Sequence, residues 1–289
     1  MINRIVLFMR MIKFQHSVFA LPFAFSAGLL AAGGIPPVNK IVWITIAMVG
    51  ARSAAMGMNR IIDKEIDAKN PRTSMRELPA GKIGVVAASL FTVIAVAMLA
   101  VAAANLNPLC LKLTPLAVAV LLLYSYTKRF TWLSHAVLGV AISGAPLGAW
   151  MAITGGVSSK IVPLVVAVIF WLAGFDILYA LQDIDFDRAH GLHSVPQRFG
   201  TGRALIIARA AHAVTWGLLA ATGFVFGLGV IYYAGMAAVG GLLVYEHSLV
   251  RENDLSKLDM AFFNMNGYIS LTVFLVILGD LAVRDLAVR

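Results

Sequence analysis

The sequence predicts an all-α, polytopic membrane protein with nine transmembrane helices, and three observations predict it. First, 60% of the 289 residues are hydrophobic and only 13% are charged. Soluble domains carry nearer a quarter charged residues, and one of this length could not cover so much apolar surface. Second, the apolar residues form nine continuous runs, near 18–35, 41–62, 84–104, 113–127, 133–153, 161–182, 204–224, 227–247 and 267–283. A helix needs about 20 such residues to cross a bilayer, and runs that do not alternate exclude a barrel. Third, most of the 23 Lys and Arg residues fall between the runs, crowded into alternate connections.

The elements follow in order. The N-terminal stretch carries Arg4, Arg10 and Lys13, and does not read as a cleaved signal. The 63–83 loop is strongly basic. The fourth run is short and follows Pro108 and Pro115. The seventh and eighth runs are separated by almost nothing, which predicts a tight hairpin. The basic bias places the N-terminus and the charged loops in the cytoplasm, and the C-terminus outside. The +9 net charge is scattered by topology rather than gathered in a stripe, so nucleic acid is not the expected partner. Cys110 is the single cysteine, which excludes an intrachain disulfide and a multi-cysteine metal site. The whole chain, 1–289, reads as one transmembrane domain.

Two polar clusters interrupt this pattern, both at run ends on the same side. Asn59, Asp63 and Asp67 are spaced i, i+4, i+8, which stacks them along one helix face. Arg52 lies two turns deeper on that face. Asp183 and Asp187 repeat the i, i+4 spacing, with Asp176 a heptad deeper and Tyr179 between. Oxygen-only ligands suit Mg²⁺, which takes one or two carboxylates and fills its remaining positions with water and phosphate oxygens. Two facing half-sites would hold a diphosphate between two metals. Charges at helix ends are more often interfacial anchors, but two equally spaced clusters on one face outweigh that reading. Asp176 and Arg52 outweigh it further, because a charge inside a span is costly and usually functional. Overlaying Asp63 on Asp183 suggests a 4+4 internal repeat plus one helix.

Three supporting patches share this side. Arg72 and Arg76 precede Leu78-Pro79-Ala80-Gly81-Lys82, a loop rich in phosphate donors. Lys128 and Arg129 end the fourth run four and five residues after Tyr124. Lys13 and His16 precede the first run. Plain topological anchoring competes evenly for each patch. His135 and His212, alone in apolar runs, read as packing residues. Glu246 and His247 form a polar pair without metal-ligand spacing.

At these motifs the sequence resembles the UbiA family of membrane prenyltransferases, in NRIIDKEID with NPRT and RELPAGK, in YALQDIDFDR with GLHS, and in YSYTKR between them. The resemblance covers nearly the whole chain and is nearest the bacterial 4-hydroxybenzoate polyprenyltransferase type. The opening FALPFAFSAGLLAAGG and the stretch YEHSLVRENDLSKLDMAFFNMNG resemble the branch proposed for the futalosine route to menaquinone. That branch would act on 1,4-dihydroxy-6-naphthoate. The resemblance implies nine helices around a central cavity, in a multi-pass protein of the bacterial inner membrane. It implies two Mg²⁺ held with a polyprenyl diphosphate by Asn59, Asp63, Asp67, Asp183 and Asp187. Arg72, Arg76, Lys128 and Arg129 would neutralise the remaining phosphate charge. Arg52, Lys13 and His16 are candidates for the carboxylate of the aromatic acceptor, and Asp176 or Asp183 for the general base. Two departures stand out: Arg60, where many relatives have Asp, and His193, where Lys is common. A secondary transporter also shows repeats and intramembrane charges, but places its site near the midplane on broken helices. A family member with a haem, chlorophyll or lipid acceptor would share the metal motifs.

Overall fold

The computed structural model describes residues 2–13, 17–252 and 254–288. Among the described residues its regular elements are all helices, and the one isolated bridge is Arg251 with Asp254. A short N-terminal helix, α1 (Ile2–Met11), precedes α2 (Ser17–Ala32), α3 (Val38–Ile62) and the six-residue α4 (Lys64–Lys69). Then come α5 (Val85–Leu106), α6 (Pro108–Thr127), α7 (Ser134–Thr154), α8 (Val162–Ala180) and a second short helix, α9 (Ile184–Ala189). The chain closes with α10 (Val195–Val225), α11 (Val230–Ser248) and α12 (Asn266–Val288). Each of the nine apolar runs is a helix. Among the described residues, seven helical segments are long and apolar enough to cross a membrane, while α2 supplies a shorter apolar stretch, Ala20–Ala32. The α11 run is not among the seven. The protein is an integral membrane protein on this count.

Local sequence sets the boundaries. Asn107 caps α6 by accepting from the Cys110 N–H, with Pro108 at the first helical position, and its amide donates to Met151 O of α7. Gly155 ends α7 in the left-handed conformation (φ 73°), which glycine adopts without Cβ strain. Ser194 caps α10 by accepting from the Gln197 N–H. Small residues let the helices approach. A Cβ on Gly139 of α7 would collide with the Ile169 carbonyl oxygen of α8, and one on Gly50 would lie 2.8 Å from the Leu99 nitrogen of α5. Such close backbone approach is how helices associate in lipid, where apolar side chains gain nothing by leaving the solvent.

The core is centred on Trp171, fully buried between Phe23 (4.8 Å between ring centroids) and Phe175 (5.0 Å). The outer faces remain apolar: Val86, Leu116, Phe224 and Val230 are exposed. The C-terminal ends of α3, α6 and α8 meet the N-terminal ends of α5, α7 and α10 at one end of the bundle, bringing both carboxylate clusters together with Lys13, Arg72, Arg76, Lys128 and Arg129.

Candidate active site

The two clusters share one difference from the continuous helices that the spacing predicts. The helix breaks at the central carboxylate of each. Asp63 (φ −91°, ψ 2°) alone separates α3 from α4, whereas Asp183 (φ −107°, ψ 7°) is the last residue of a 3-10 turn, Leu181–Asp183, that separates α8 from α9. These angles are open to any residue, so no Gly or Pro marks the break. The hydrogen bonds Asp63 N–H to Asn59 O (2.9 Å) and Asp67 N–H to Asp63 O (2.7 Å) preserve the register across it. The side chains therefore stay stacked.

Asp63, Asp67 and Asp183 hold basic partners. Asp63, 2% exposed, accepts from Lys128 Nζ (2.6 Å), Arg129 Nη2 (3.0 Å) and Asn59 Nδ2 (2.9 Å). Asp67 accepts both 2.8 Å bonds from Arg76 Nη1. Asp183 is gripped by the Arg72 guanidinium and by Asn70 Nδ2 (3.0 Å). Asp187 accepts from Ser194 Oγ (2.9 Å), so the α10 cap also fixes this carboxylate. No three Asp, Glu, His or Cys side chains converge as a ready metal cage among the described residues. Acids and bases neutralise one another instead, which stabilises so many partly buried charges. Burial would lower the Arg72 pKa, but the hydrogen bond and charge of Asp183 outweigh it and raise it.

Below this rim lies a cavity of about 680 Å³, lined by both clusters at its charged end and by Leu99, Leu113, Leu147 and Trp171 deeper in the bundle. Arg52 lines it too. Its Nε is buried without a hydrogen-bond partner, and among the described residues Arg52 forms no ion pair. The sequence leads one to expect Asp176 as its partner. The structure gives Asp176 to His135 instead, Nδ1 to Oδ2 2.7 Å. His135 is therefore no mere packing residue. Its ring also accepts from the Val195 N–H at Nε2 (3.2 Å).

Lys13, the one non-glycine residue with positive φ among those described (46°), sits over the Tyr179 ring at 5.9 Å. Arg72 lies over the same ring at 5.1 Å and donates to its hydroxyl (3.0 Å). Lys13 thus belongs to the Arg72 end of the site. His16 falls outside the described residues. Arg60, the departure from the family pattern, is buried; it donates to Met11 O (3.2 Å) and lies 3.8 Å from Asp67. It ties α1 to the first cluster. Asn70 and Ser194, inside the NPRT and GLHS motifs, thus join the site through side-chain bonds that no spacing announces. His193 donates its backbone N–H to Lys128 O (2.7 Å), linking the second loop to the basic pair.

Residues 20–268 match the UbiA prenyltransferase family. A 4-hydroxybenzoate octaprenyltransferase of Vibrio atlanticus is 33% identical over 246 residues, covering 85% of this chain and 86% of the relative. Another protein of that name, from Aromatoleum aromaticum, is 31% identical over 252 residues, covering 87% and 85%. Among solved structures, a ligand-free UbiA homologue from Aeropyrum pernix K1 matches with TM-score 0.79 and 32% identity, over 94% of this chain and 98% of that one. An Archaeoglobus fulgidus homologue, solved with GPP and Mg²⁺, shares the fold at TM-score 0.72 and 21% identity, over 94% and 99%. With the family match spanning most of its length, the chain belongs to the UbiA prenyltransferase family.

Proposed function

We propose that this protein transfers a polyprenyl group from its diphosphate to the ring of a hydroxylated aromatic acid, with Mg²⁺, at the cytoplasmic face of the bacterial inner membrane. The observation that carries the reading is the junction of two matched carboxylate half-sites, ringed by Arg and Lys, with an apolar cavity inside a membrane protein. A diphosphate carries several charges and a polyprenyl chain carries none, and the cavity offers both environments in that order.

Asn59, Asp63, Asp67, Asp183 and Asp187 supply the oxygen-only donor set that suits Mg²⁺. The metal's chemistry here is to neutralise the diphosphate as it departs. Arg72, Arg76, Lys128 and Arg129 are paired to carboxylates in the resting site. When the carboxylates turn to metal, these bases turn to phosphate oxygens, so the charge lost from each ion pair is replaced. Lys13, beside Arg72, joins this group. The bases stabilise charge that grows as the allylic C–O bond breaks. The apolar walls keep water from the delocalised cation until the ring attacks. Arg52, which forms no ion pair among the described residues, receives the acceptor's carboxylate, for which its planar fork is suited. The lipid-facing surface and apolar cavity let the chain's tail be drawn from the membrane.

The names of the relatives favour 4-hydroxybenzoate as acceptor; the opening and YEHSLV stretches favour the dihydroxynaphthoate. One experiment tests the reading and decides between them. The purified protein in liposomes is given Mg²⁺, a long-chain prenyl diphosphate and each acid in turn, and products are read by mass. A prenylated acid should form, stop with EDTA and resume with added Mg²⁺. Absence of product from both acids, or full turnover in chelator, would sink the proposal.

A further inference from the structure

We propose that a cleft between the start of α10 and the loop after α11 binds the phosphate head group of an anionic phospholipid, with Arg203, Arg209 and Arg251 as its cationic ligands. The inference is independent of the acceptor and diphosphate assignments above.

The cleft has a volume of about 540 Å³ and shares no lining residue with the central cavity. Local sequence explains its shape. Gly200 (φ 80°, ψ 167°) interrupts α10 in a conformation that glycine adopts without Cβ strain, and the helix restarts after it. Gly202 then lets the loop approach, because a Cβ there would lie 3.0 Å from Glu252 Oε1. The Glu252 carboxylate thus rests against the first turn of the restarted helix, where the helix dipole favours an acid. It does not neutralise the arginines. Among the described residues, Arg203, Arg209, Arg251 and Glu252 form no ion pair, and no side-chain hydrogen bond engages the three guanidiniums. Asp254, beside Arg251 in the loop, is turned to the N–H and hydroxyl of Ser256. Three guanidiniums and one carboxylate leave the lining with a net charge of +2.

Depth and convergence separate this cleft from ordinary topological anchoring. Topology needs only a surplus of bases in the connections on one side. Here bases from two connections far apart in sequence face one cleft, and a third stands inside the span. Arg209 follows Gly200 by nine residues, roughly 13 Å along the helix axis. All three arginines are exposed. The α10 face between Arg203 and Arg209 is apolar: Leu205 and Ile206 line the cleft, and Ile206 is 62% exposed. A guanidinium beside lipid at that depth is costly without an anionic partner, even when its stem snorkels toward the boundary. The occupant is therefore anionic at the water boundary and apolar below it, as a phospholipid is. Arginine forks phosphate oxygens in pairs, and basic pockets between membrane helices on the cytoplasmic side favour such head groups. A prenyl diphosphate has a similar outline, but its charge calls for metal, and Glu252 is the one carboxylate lining the cleft among the described residues. A free phosphate would leave the apolar wall unused.

The test counts lipids on the intact protein. Delipidated full-length protein in detergent is titrated with phosphatidylglycerol or phosphatidylcholine and read by native mass spectrometry. The wild type should hold one phosphatidylglycerol about tenfold or more tightly than phosphatidylcholine. Arg203→Gln, Arg209→Gln and Arg251→Gln together should bring the two lipids within about twofold. Lys64→Gln, Lys69→Gln and Lys257→Gln together remove three exposed bases from the same end outside the cleft, and should keep the wild-type preference. Glu252→Gln should tighten phosphatidylglycerol by about threefold, a gain that damage to the fold does not produce. Wild-type preference in the arginine variant, or an equal loss in both triple variants, would overturn the cleft as the site. Unchanged affinity in Glu252→Gln would place the phosphate elsewhere. Glycerol 3-phosphate and farnesyl diphosphate then compete in EDTA, and neither should displace the lipid at equal concentration. Displacement by the first would make this a free-phosphate site, and by the second a docking point for a prenyl donor; either overturns the lipid assignment.

Discussion

At the scale of single residues, the site balances charges that the bound state must redistribute. Asp63 and Asp183 each sit at a helix break and each binds a basic partner that is about a third exposed. Asp63→Asn and Asp183→Asn should each lower kcat by about 100-fold or more, equal to roughly 2.7 kcal/mol of barrier. The melting temperature should move little, because the released bases reach water; turnover within tenfold of wild type in either variant would count against the two-half-site reading. Arg52→Lys keeps the charge and loses the fork. Its apparent KM for the aromatic acid should rise about tenfold, roughly 1.4 kcal/mol, while that for the prenyl diphosphate stays near wild type. An unchanged acceptor KM would remove Arg52 from the acceptor site. Lys13 gives the site a pH dependence. Burial, reinforced by Arg76, Arg60 and Arg72, pulls its ammonium down to about 8. A bound diphosphate favours the charged form, so affinity is full below that pH and lost as pH rises through it. The diphosphate KM should therefore climb above pH 8 in wild type and flatten in Lys13→Arg, because arginine stays charged. A flat wild-type profile would exclude Lys13 from diphosphate binding.

At the scale of elements, the site depends on how closely α7 and α8 pack. His135 and Asp176 lie on these two helices, and Gly139, one turn beyond His135, lets the backbones touch. Gly139→Val should force α7 away from Ile169 and cost about 1–3 kcal/mol, the usual range for overpacking. Gly144→Ala, on the same helix but with nothing within 4 Å of its new Cβ, is the matched control. A lower melting temperature in the first alone is expected; equal behaviour would mean α7 has room to shift. The i, i+4 acidic spacing was legible because it is local and chemically unusual in an apolar chain. The His135–Asp176 bond was not, because it depends on the rotation of one uniformly apolar helix against another 41 residues away. The breaks at Asp63 and Asp183 were equally hidden, since their backbone angles ask for no special residue. Arg60 looked like a lost carboxylate, and only the fold shows its side chain holding α1 against the first cluster.

At the scale of the whole molecule, the asymmetry of charge and the asymmetry of the site coincide. Both carboxylate breaks, the Lys128–Arg129 pair, the Arg72–Arg76 loop and the His135 end of α7 lie at one end of the bundle. The same end receives most of the basic connections that set topology. The cause need not be shared: on the proposed reading the bases at this end would serve the diphosphate, and the positive-inside bias would orient the enzyme toward the compartment that supplies it. Orientation is therefore a test of function as well as of insertion. In a Cys110→Ser background, Met75→Cys places a thiol on the site-side loop, where Met75 is 73% exposed. Val157→Cys places one at the other end, where Val157 is 68% exposed. An impermeant maleimide added to intact spheroplasts should label position 157 and spare position 75, and permeabilisation should expose both. Labelling of position 75 from outside would invert the protein and leave the diphosphate site facing away from the cytoplasm. The charge bias would then need a purely catalytic explanation, and the inner-membrane, cytoplasm-facing assignment would fail.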